Sequence, residues 1–197
     1  MNSVFEQMKE EMVSQGISPR TDASRKWFLA KVDNISSVDR NKLLRQPPAK
    51  GATDIVPGQM YMFWYDPKTK ASLPYYDRFP LIFPIDIKRD GMTGINLHYL
   101  PLGVREKFFY KLLNTVSDTR YDDRTHLKMT YDFLKGTASL RPFKPCFKRY
   151  LASQVNGRIV NIPSSEWETA MYLPTAVFDK KTESAVHRDS RRIIGGR

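Results

Sequence analysis

Cysteine and histidine are scarce in this chain, and their scarcity excludes several kinds of site. Among 197 residues there is one cysteine, Cys146, so an intramolecular disulfide and a cysteine-based zinc site are both excluded. The three histidines lie far apart along the chain, which leaves little material for a histidine-rich metal centre. The sequence therefore predicts no bound metal and no other cofactor.

Long apolar runs and catalytic motifs are missing as well. The longest apolar stretches, such as residues 60–65, fall far short of the ~20 residues that a membrane-spanning helix needs. The N-terminal residues are too charged for a signal peptide, and there is no glycine-rich phosphate loop. Asp77 with Asp86 and Lys88 imitates the carboxylates and lysine of metal-dependent nucleases, but such spacing arises easily by chance in a chain with 27% charged residues. We therefore predict neither a membrane protein nor an enzyme.

The first 50 residues predict short helices separated by helix breakers. Ser3 with Glu6 has the spacing of a capping box, and a second helix is expected to start near Thr21 or Asp22. A third helix is expected from Ser37, ending before the proline-containing linker at residues 46–51. We interpret residues 1–50 as an N-terminal helical arm.

Residues 57–100 have the alternation of β-strands. Residues 60–65 (MYMFWY) are apolar on both faces, which predicts a strand that is buried on both sides. A second strand is predicted at residues 81–87 and a third at 95–99, with Asp90-Gly91 as the hairpin turn between them. Pro84 lies inside the second strand and predicts an edge position or a bulge there. The expected fold is α+β, with a small antiparallel, aromatic-rich β-meander or barrel-like sheet.

The C-terminal half is predicted to return to helices. Helices are expected over residues 104–117, from Asp122 or Asp123 to Gly136, around residues 147–151, and from a capping box at Ser165 and Glu168. We expect a single core domain over residues 57–179, flanked by helices and extended arms, with residues 180–197 as a basic C-terminal tail.

Positive charge is concentrated in the C-terminal third. The chain has 32 Lys and Arg against 21 Asp and Glu, a formal net charge of +11, and there is no acidic residue between Asp132 and Glu166. The basic residues of this window and of the tail include Lys135, Arg141, Lys144, Lys148, Arg149, Arg158, Arg191 and Arg192. Aromatic residues interleave with them at residues 143–150 (FKPCFKRY), as a surface that stacks nucleic-acid bases would require. The pattern predicts contact with nucleic-acid phosphates or, if the aromatics belong to the core, with an acidic protein partner.

A second candidate surface is the segment at residues 73–80 (LPYYDRFP). Tyr75, Tyr76, Asp77 and Arg78 are the residue types that dominate protein interfaces, and the aromatic pair Trp27 and Phe28 is a further candidate contact. The alternative is a loop that folds over its own sheet, with Asp77 and Arg78 orienting it.

Several segments together resemble a small virion protein of T-even-type contractile-tailed phages. They are residues 58–68 (GQMYMFWYDPK), 73–81 (LPYYDRFPL), 94–101 (GINLHYLP), 143–151 (FKPCFKRYL) and 166–167, so the likeness covers about residues 20–192. The resemblance implies a structural component of the virion, assembled in the host cytoplasm, at the tail baseplate or at the head–tail junction. It also implies other phage structural proteins as partners, in several copies within a symmetric assembly, and it transfers no catalytic or ligand-binding residue.

Two hypotheses follow for the function. The first is a tail or baseplate subunit that uses its arms and the 73–80 loop to contact neighbouring subunits. The second is a DNA-contacting head-completion or DNA-end-protecting protein that uses the basic residues at 135–158 and in the tail. The sequence favours the first, and a salt series of DNA binding separates the two, because phosphate contacts make affinity strongly salt-dependent.

Overall fold

The computed structural model describes residues 3–35, 37–45, 54–116, 120 and 122–195, so the predicted linker at 46–51 lies outside the described residues. The α-helices are α1 (Val4–Ser14), α2 (Asp22–Val32), α3 (Arg40–Arg45), α4 (Leu102–Val116), α5 (Asp123–Ala138), α6 (Trp167–Tyr172) and α7 (Glu183–Gly195). The strands are β1 (Met60–Tyr65), β2 (Tyr76–Asp77), β3 (Leu81–Lys88), β4 (Gly91–Asn96), β5 (Phe147–Leu151), β6 (Val155–Ile162) and β7 (Phe178–Asp179). Short 3-10 helices lie at Leu97–Tyr99, Arg141–Cys146, Ala152–Gln154 and Ser164–Glu166. The predicted α+β class is confirmed.

The N-terminal helices begin where their capping residues predict, except for the third. The Ser3 hydroxyl accepts a hydrogen bond from the Glu6 backbone N–H at 2.9 Å, and Thr21 and Ser24 form a capping box at the start of α2. The third helix begins at Arg40 rather than Ser37, because the Asp39 carboxylate accepts the Lys42 backbone N–H at 3.0 Å and sets its first turn.

These helices contribute apolar side chains to the main core. Apolar side chains from all three are buried in the same cluster as the sheet: Phe5, Met8, Met12, Phe28, Leu43 and Leu44. The C-terminal segment is likewise packed. Residues 183–195 form α7, which lies against the 3-10 helix Arg141–Cys146 and buries Val186 and Ser190.

The main sheet has five antiparallel strands in the order β5-β4-β3-β1-β6. The predicted bulge at Pro84 is confirmed, since the register of β3 on β4 shifts between Pro84 and Asp86. The third predicted strand ends early, at Asn96. The Asn96 side chain accepts the His98 backbone N–H at 2.9 Å, which turns residues 97–99 into a 3-10 helix.

Two strands lie where the sequence predicted a helix or nothing regular. Residues 147–151 were expected to be helical, but they form β5, with Leu151 opposite Gly91 and Phe147 opposite Ile95. Residues 155–162 form β6, which pairs with β1 from Met60 opposite Ile162 to Tyr65 opposite Val155. The hydrogen bonds that β4 and β1 offer therefore outweigh the local helical preference.

The sheet is strongly curved. Its two edge strands, β5 and β6, are consecutive along the chain and are joined only by Ala152–Gln154. This connection is tied to both sides, because Ala152 N–H donates to the Asp90 carbonyl and Asp66 N–H to the Gln154 carbonyl, each at 3.0 Å. Within the described part of the chain no ladder joins β5 to β6, so the predicted barrel-like curvature is present but the barrel is not closed.

The alternation of side chains along β1 divides its apolar residues between two cores, as its two-sided pattern predicts. The concave face holds a small aromatic cluster containing Tyr61, Phe63, Tyr65, Ile82, Met92 and Tyr150. Met60 and Met62 point to the other face, which the helices cover. Among the described residues, no helix is long and apolar enough to cross a membrane.

Candidate nucleic-acid interface

The 3-10 helix Arg141–Cys146 gathers most of the predicted basic residues onto neighbouring elements. It carries Arg141 and Lys144 and packs against α5, β5 and α7. Those three elements bring Lys135, Lys148, Arg149, Arg191 and Arg192 to the same region. Except for half-buried Lys148, all of these side chains are exposed. We call this set, with Arg141 and Lys144, the basic surface.

One predicted member does not belong to the basic surface. Arg158 lies on β6, the edge strand opposite β5 in the strand order of the sheet. Within the basic surface, Arg149 forms an ion pair with Asp90, and Arg192 lies 3.8 Å from an oxygen of Asp189. These exposed pairs are weak and leave the positive charge of the surface in excess.

Beside the basic surface lies a cleft with a volume of about 390 Å³. One wall comes from the loop between β1 and β2, at Pro67, Lys68, Thr69, Leu73 and Tyr75, and the opposite wall comes from β5. The floor contains four tyrosines: Tyr65, Tyr76, Tyr99 and Tyr150. The cleft therefore brings together residues from two segments that the sequence predicts as separate surfaces, 73–80 and 143–150.

Aromatic and cationic side chains alternate along the β5 wall of the cleft. Phe147 is 41% exposed, an unusual state for a phenylalanine, and Arg149 is also exposed. The Lys148 ammonium lies 4.2 Å from the centre of the Tyr99 ring, a cation–π contact. Burial lowers the pKa of Lys148 from its ordinary value. Tyr75, on the other wall, has a similar contact, since the Lys181 ammonium lies 4.8 Å from the centre of its ring.

The floor of the cleft rests on the buried carboxylate of Asp77. Its Oδ2 accepts hydrogen bonds from His98 Nδ1 at 2.6 Å and from Asn96 Nδ2 at 3.0 Å. Its Oδ1 accepts the backbone N–H groups of Phe79 at 3.0 Å and Val177 at 3.2 Å. Burial opposes ionisation, but His98, Asn96 and the Phe79 N–H outweigh it, so the pKa of Asp77 lies below its ordinary value.

The same network holds two of the floor tyrosines, Tyr99 and Tyr150, and a backbone N–H outside it holds Tyr65. Tyr99 Oη accepts the Asp77 backbone N–H at 3.2 Å, and Tyr150 Oη accepts Asn96 Nδ2 at 2.9 Å. Tyr65 Oη accepts the Leu151 N–H at 3.3 Å. Burial raises the pKa of each of the three phenols, so all three keep their hydroxyl protons at neutral pH.

Asp77, His98 and Thr175 resemble a nucleophilic triad, because a carboxylate contacts one nitrogen of an imidazole and a hydroxyl contacts the other. His98 Nε2 lies 3.0 Å from Thr175 Oγ1, on the far side of the imidazole from Asp77. All three residues are buried, with at most 2% of their surface exposed, so a substrate has no route to the hydroxyl. We interpret the arrangement as structural. The absence of enzymatic activity stays a prediction.

The nuclease-like residues are kept apart by the fold. Asp77 is buried, whereas Asp86 is exposed on β3 and lies 3.3 Å from the Lys88 ammonium. The described residues contain no cluster of His, Cys, Asp or Glu side chains that could hold a metal ion. The pKa of the Cys146 thiol is raised to about 12 by burial, so its basic neighbours in sequence do not make it reactive.

The predicted protein-interface residues divide into buried and exposed ones. Asp77, Tyr76 and Phe28 are buried, so they are not available as contacts in this structure. Tyr76 donates its hydroxyl to Asp179 at 2.7 Å, and Phe28 stacks on Tyr172. The structure therefore matches the alternative of a loop folded over its own sheet for this part of residues 73–80.

Tyr75, Arg78 and Trp27 keep accessible surface. Arg78 faces a second, more polar pocket of about 510 Å³, with its guanidinium 6.0 Å from the centre of the Trp64 ring. Tyr65 and Tyr76 line both pockets and so form the wall between them. Trp27 is half-buried and donates its indole N–H to Gln15 at 2.9 Å.

Asn96, His98 and Thr175 are parts of this site that the sequence does not predict. A signal was present: Asn96 and His98 are polar residues in a segment that is otherwise apolar on alternate positions. Buried polar side chains need partners inside the protein, and the Asp77 carboxylate on β2 accepts from both Asn96 and His98.

Comparison with known proteins gives a match to a family model. The model of the family described as the phage T4 terminal DNA protecting protein matches residues 1–190. No curated protein and no solved structure matches the chain. The match supports a T4-like phage protein and lends no support to a tail or baseplate position.

Proposed function

Because the chain belongs to the family of the phage T4 terminal DNA protecting protein, we propose that it binds the termini of phage DNA and shields them. This is the second of the two hypotheses drawn from the sequence, and it replaces the tail or baseplate hypothesis as the better supported one. We place the protein in the virion at the head–tail junction, where a DNA end and other structural proteins are both within reach.

The observation that carries this proposal is the basic surface around Arg141–Cys146. Side chains from four elements converge there, and residues 133–165 contribute no acidic group to oppose them. Each phosphate that such a surface neutralises releases condensed counterions from DNA, which provides a large part of the binding free energy. An acidic protein partner fits the same charge, but the family match favours DNA.

The first test is DNA affinity of the purified protein, measured by fluorescence anisotropy over a salt series. Replacing Lys135, Arg141 and Lys144 together by alanine is expected to reduce the slope of log affinity against log salt by about 2 to 3, because each lost phosphate contact removes about 0.9. The matched control replaces Lys26, Lys42 and Arg89, three exposed cations on other elements, and is expected to leave most of the slope in place. An equal loss of slope in both triple variants, or no binding by the wild type at low salt, contradicts the proposal.

The protective role needs its own measurement. Linear duplex DNA saturated with the protein is expected to resist a processive exonuclease, and the basic-surface triple variant is expected to lose that protection. Nicked circular DNA of the same sequence tests whether the effect depends on a terminus. Equal protection at a nick would mean general coating of DNA rather than recognition of its ends.

A further inference from the structure

The cleft beside the basic surface has the chemistry of a site for a nucleotide rather than for a purely apolar ligand. The exposed Phe147 lines it together with three cationic residues, Lys148 and Arg149 on β5 and Lys68 on the opposite wall. Phosphate oxygens fit the cations and a base fits the ring, so one nucleotide satisfies both.

The floor of the cleft adds hydrogen-bond donors, namely the hydroxyl groups of three tyrosines. The oxygens of Tyr65, Tyr99 and Tyr150 each already accept an N–H from the protein, so what each phenol has left to offer is its O–H. Because the hydroxyls remain protonated at neutral pH, they suit a ligand rich in acceptors, such as phosphate or the carbonyl groups of a base.

The size of the cleft decides which form of DNA fits. A volume of about 390 Å³ is in the range of small-molecule pockets, so it has room for one or two nucleotides and not for a duplex. Stacking on Phe147 also requires a base whose face is free, and in a duplex that condition holds only at the terminus.

We propose that the cleft between residues 67–75 and β5 binds the unpaired or frayed terminal nucleotide of a DNA strand, with its base stacked on Phe147. This inference rests on the proposed function, since in it the basic surface binds the duplex and the cleft binds the end of one strand. It explains how a protein whose charge would bind any DNA distinguishes a terminus from the middle of a molecule.

The test compares DNA hairpins that share one duplex sequence and differ at the end. One has a short 3′ overhang, one a short 5′ overhang, one is blunt, and a dumbbell has both ends closed. The wild type is expected to bind at least one overhang form roughly 5- to 150-fold more tightly than the dumbbell, the range for stacking of one base on an aromatic side chain. A 2-aminopurine at the unpaired end reports the stacking directly, because its fluorescence falls when it stacks.

Phe147→Ala is expected to remove this preference while leaving dumbbell affinity and the salt slope unchanged. Phe147→Trp, which keeps an aromatic face, is expected to retain it. The matched control is Leu140→Ala, which removes another exposed apolar side chain, 53% accessible, from the start of the 3-10 helix outside the cleft lining. Circular dichroism melting of each variant shows whether it folds.

The outcomes separate the two proposals. Equal binding of dumbbell and overhang forms by the wild type, or a Phe147→Ala variant that keeps the preference, overturns the cleft assignment while DNA binding stands. Binding of no DNA form overturns both. Specific filling of the cleft by a proline-rich peptide in place of an overhang would make it a protein-docking groove and would also overturn the assignment.

Discussion

Two of the buried carboxylate sites in the described part of the chain connect segments that are distant in sequence, and they stabilise the ionised form to different degrees. Under the cleft, Asp77 accepts from two side chains and two backbone N–H groups. At the N-terminal helices, Glu168 of α6 accepts the Ser24 hydroxyl at 2.8 Å and the Arg20 backbone N–H at 3.0 and 3.1 Å. Its neighbour Glu166 accepts the Ser3 hydroxyl at 2.6 Å.

The difference shows that the charge of the partners and the number of donors, and not burial alone, decide the charge state, since the electrostatic attraction of His98 is the largest influence that lowers the pKa of Asp77. Burial raises the pKa of Glu166 and of Glu168, and their few donors do not reverse it. Burial acts on Asp77 in the same direction, yet its partners lower the pKa below the ordinary value. The cleft floor is therefore built around a carboxylate that is ionised at neutral pH, and the helix contacts are built around carboxylates that hold a proton more readily.

The largest expected effect comes from removing the centre of the better-satisfied site. Asp77→Ala leaves the donors of Asn96, His98 and Val177 without an acceptor inside the protein, which costs about 3–5 kcal/mol of unfolding free energy. Urea denaturation followed by circular dichroism measures this loss. Asp86→Ala, at an exposed carboxylate of the neighbouring strand, is the control and is expected to change stability by less than about 0.5 kcal/mol. Similar costs for both variants would mean that the buried network contributes little.

A smaller and more local effect is expected at the helix contacts. Glu168→Ala removes the acceptor of Ser24 and Arg20, at a cost of about 1–3 kcal/mol. Hydrogen exchange measured by mass spectrometry is expected to show the loss mainly in α1 and α2, with the strands β3 and β4 retaining their protection. Equal loss of protection in the strands would show that the helices and the sheet unfold as one unit.

The smallest expected effect is the pH dependence of the contribution that each carboxylate makes to the free energy of unfolding. It separates the two sites most clearly, because its direction is opposite for the two. Asp77 has a lowered folded-state pKa, so its contribution is present above the unfolded value of about 3.9 and is lost as pH falls through the folded value. Glu168 has a raised folded-state pKa, so its contribution is present below about 4.3 and is lost as pH rises through the folded value.

Unfolding free energies of the wild type, Asp77→Asn and Glu168→Gln over a pH series measure both directions. As pH falls, the unfolding free energy of the wild type minus that of Asp77→Asn is expected to decrease. The unfolding free energy of the wild type minus that of Glu168→Gln is expected to increase over the same pH range. Parallel curves for the two variants would contradict the comparison.

The sequence predicts the hairpin part of the fold well because its determinants are local. The alternation at residues 60–65, the bulge at Pro84 and the Asp90-Gly91 turn all depend on near neighbours along the chain. In contrast, β5 and β6 are strands only because β4 and β1 supply ladder partners, and Phe147 pairs with Ile95 across about 50 intervening residues. No periodicity within residues 147–151 contains that information.

The candidate site is predictable in composition and not in arrangement. The basic residues and the aromatic run at 143–150 are visible in the sequence, but the packing of α7 on Arg141–Cys146 is not, nor is the separation of Arg158 at the other edge. Asp77 suggested an interface because it stands beside Tyr76 and Arg78. Its actual partners are donors up to 100 residues away, at Val177.

The pairing of β1 with β6 also has a consequence during synthesis on the ribosome. Met60 lies opposite Ile162, so 102 further residues must be synthesised after the start of β1 before the whole of its partner β6 exists. At typical elongation rates of 5–20 residues per second, that delay is about 5 to 20 s. During this interval β1, apolar on both faces, has one side without its partner, so the nascent chain is expected to depend on chaperones until the C-terminal third emerges.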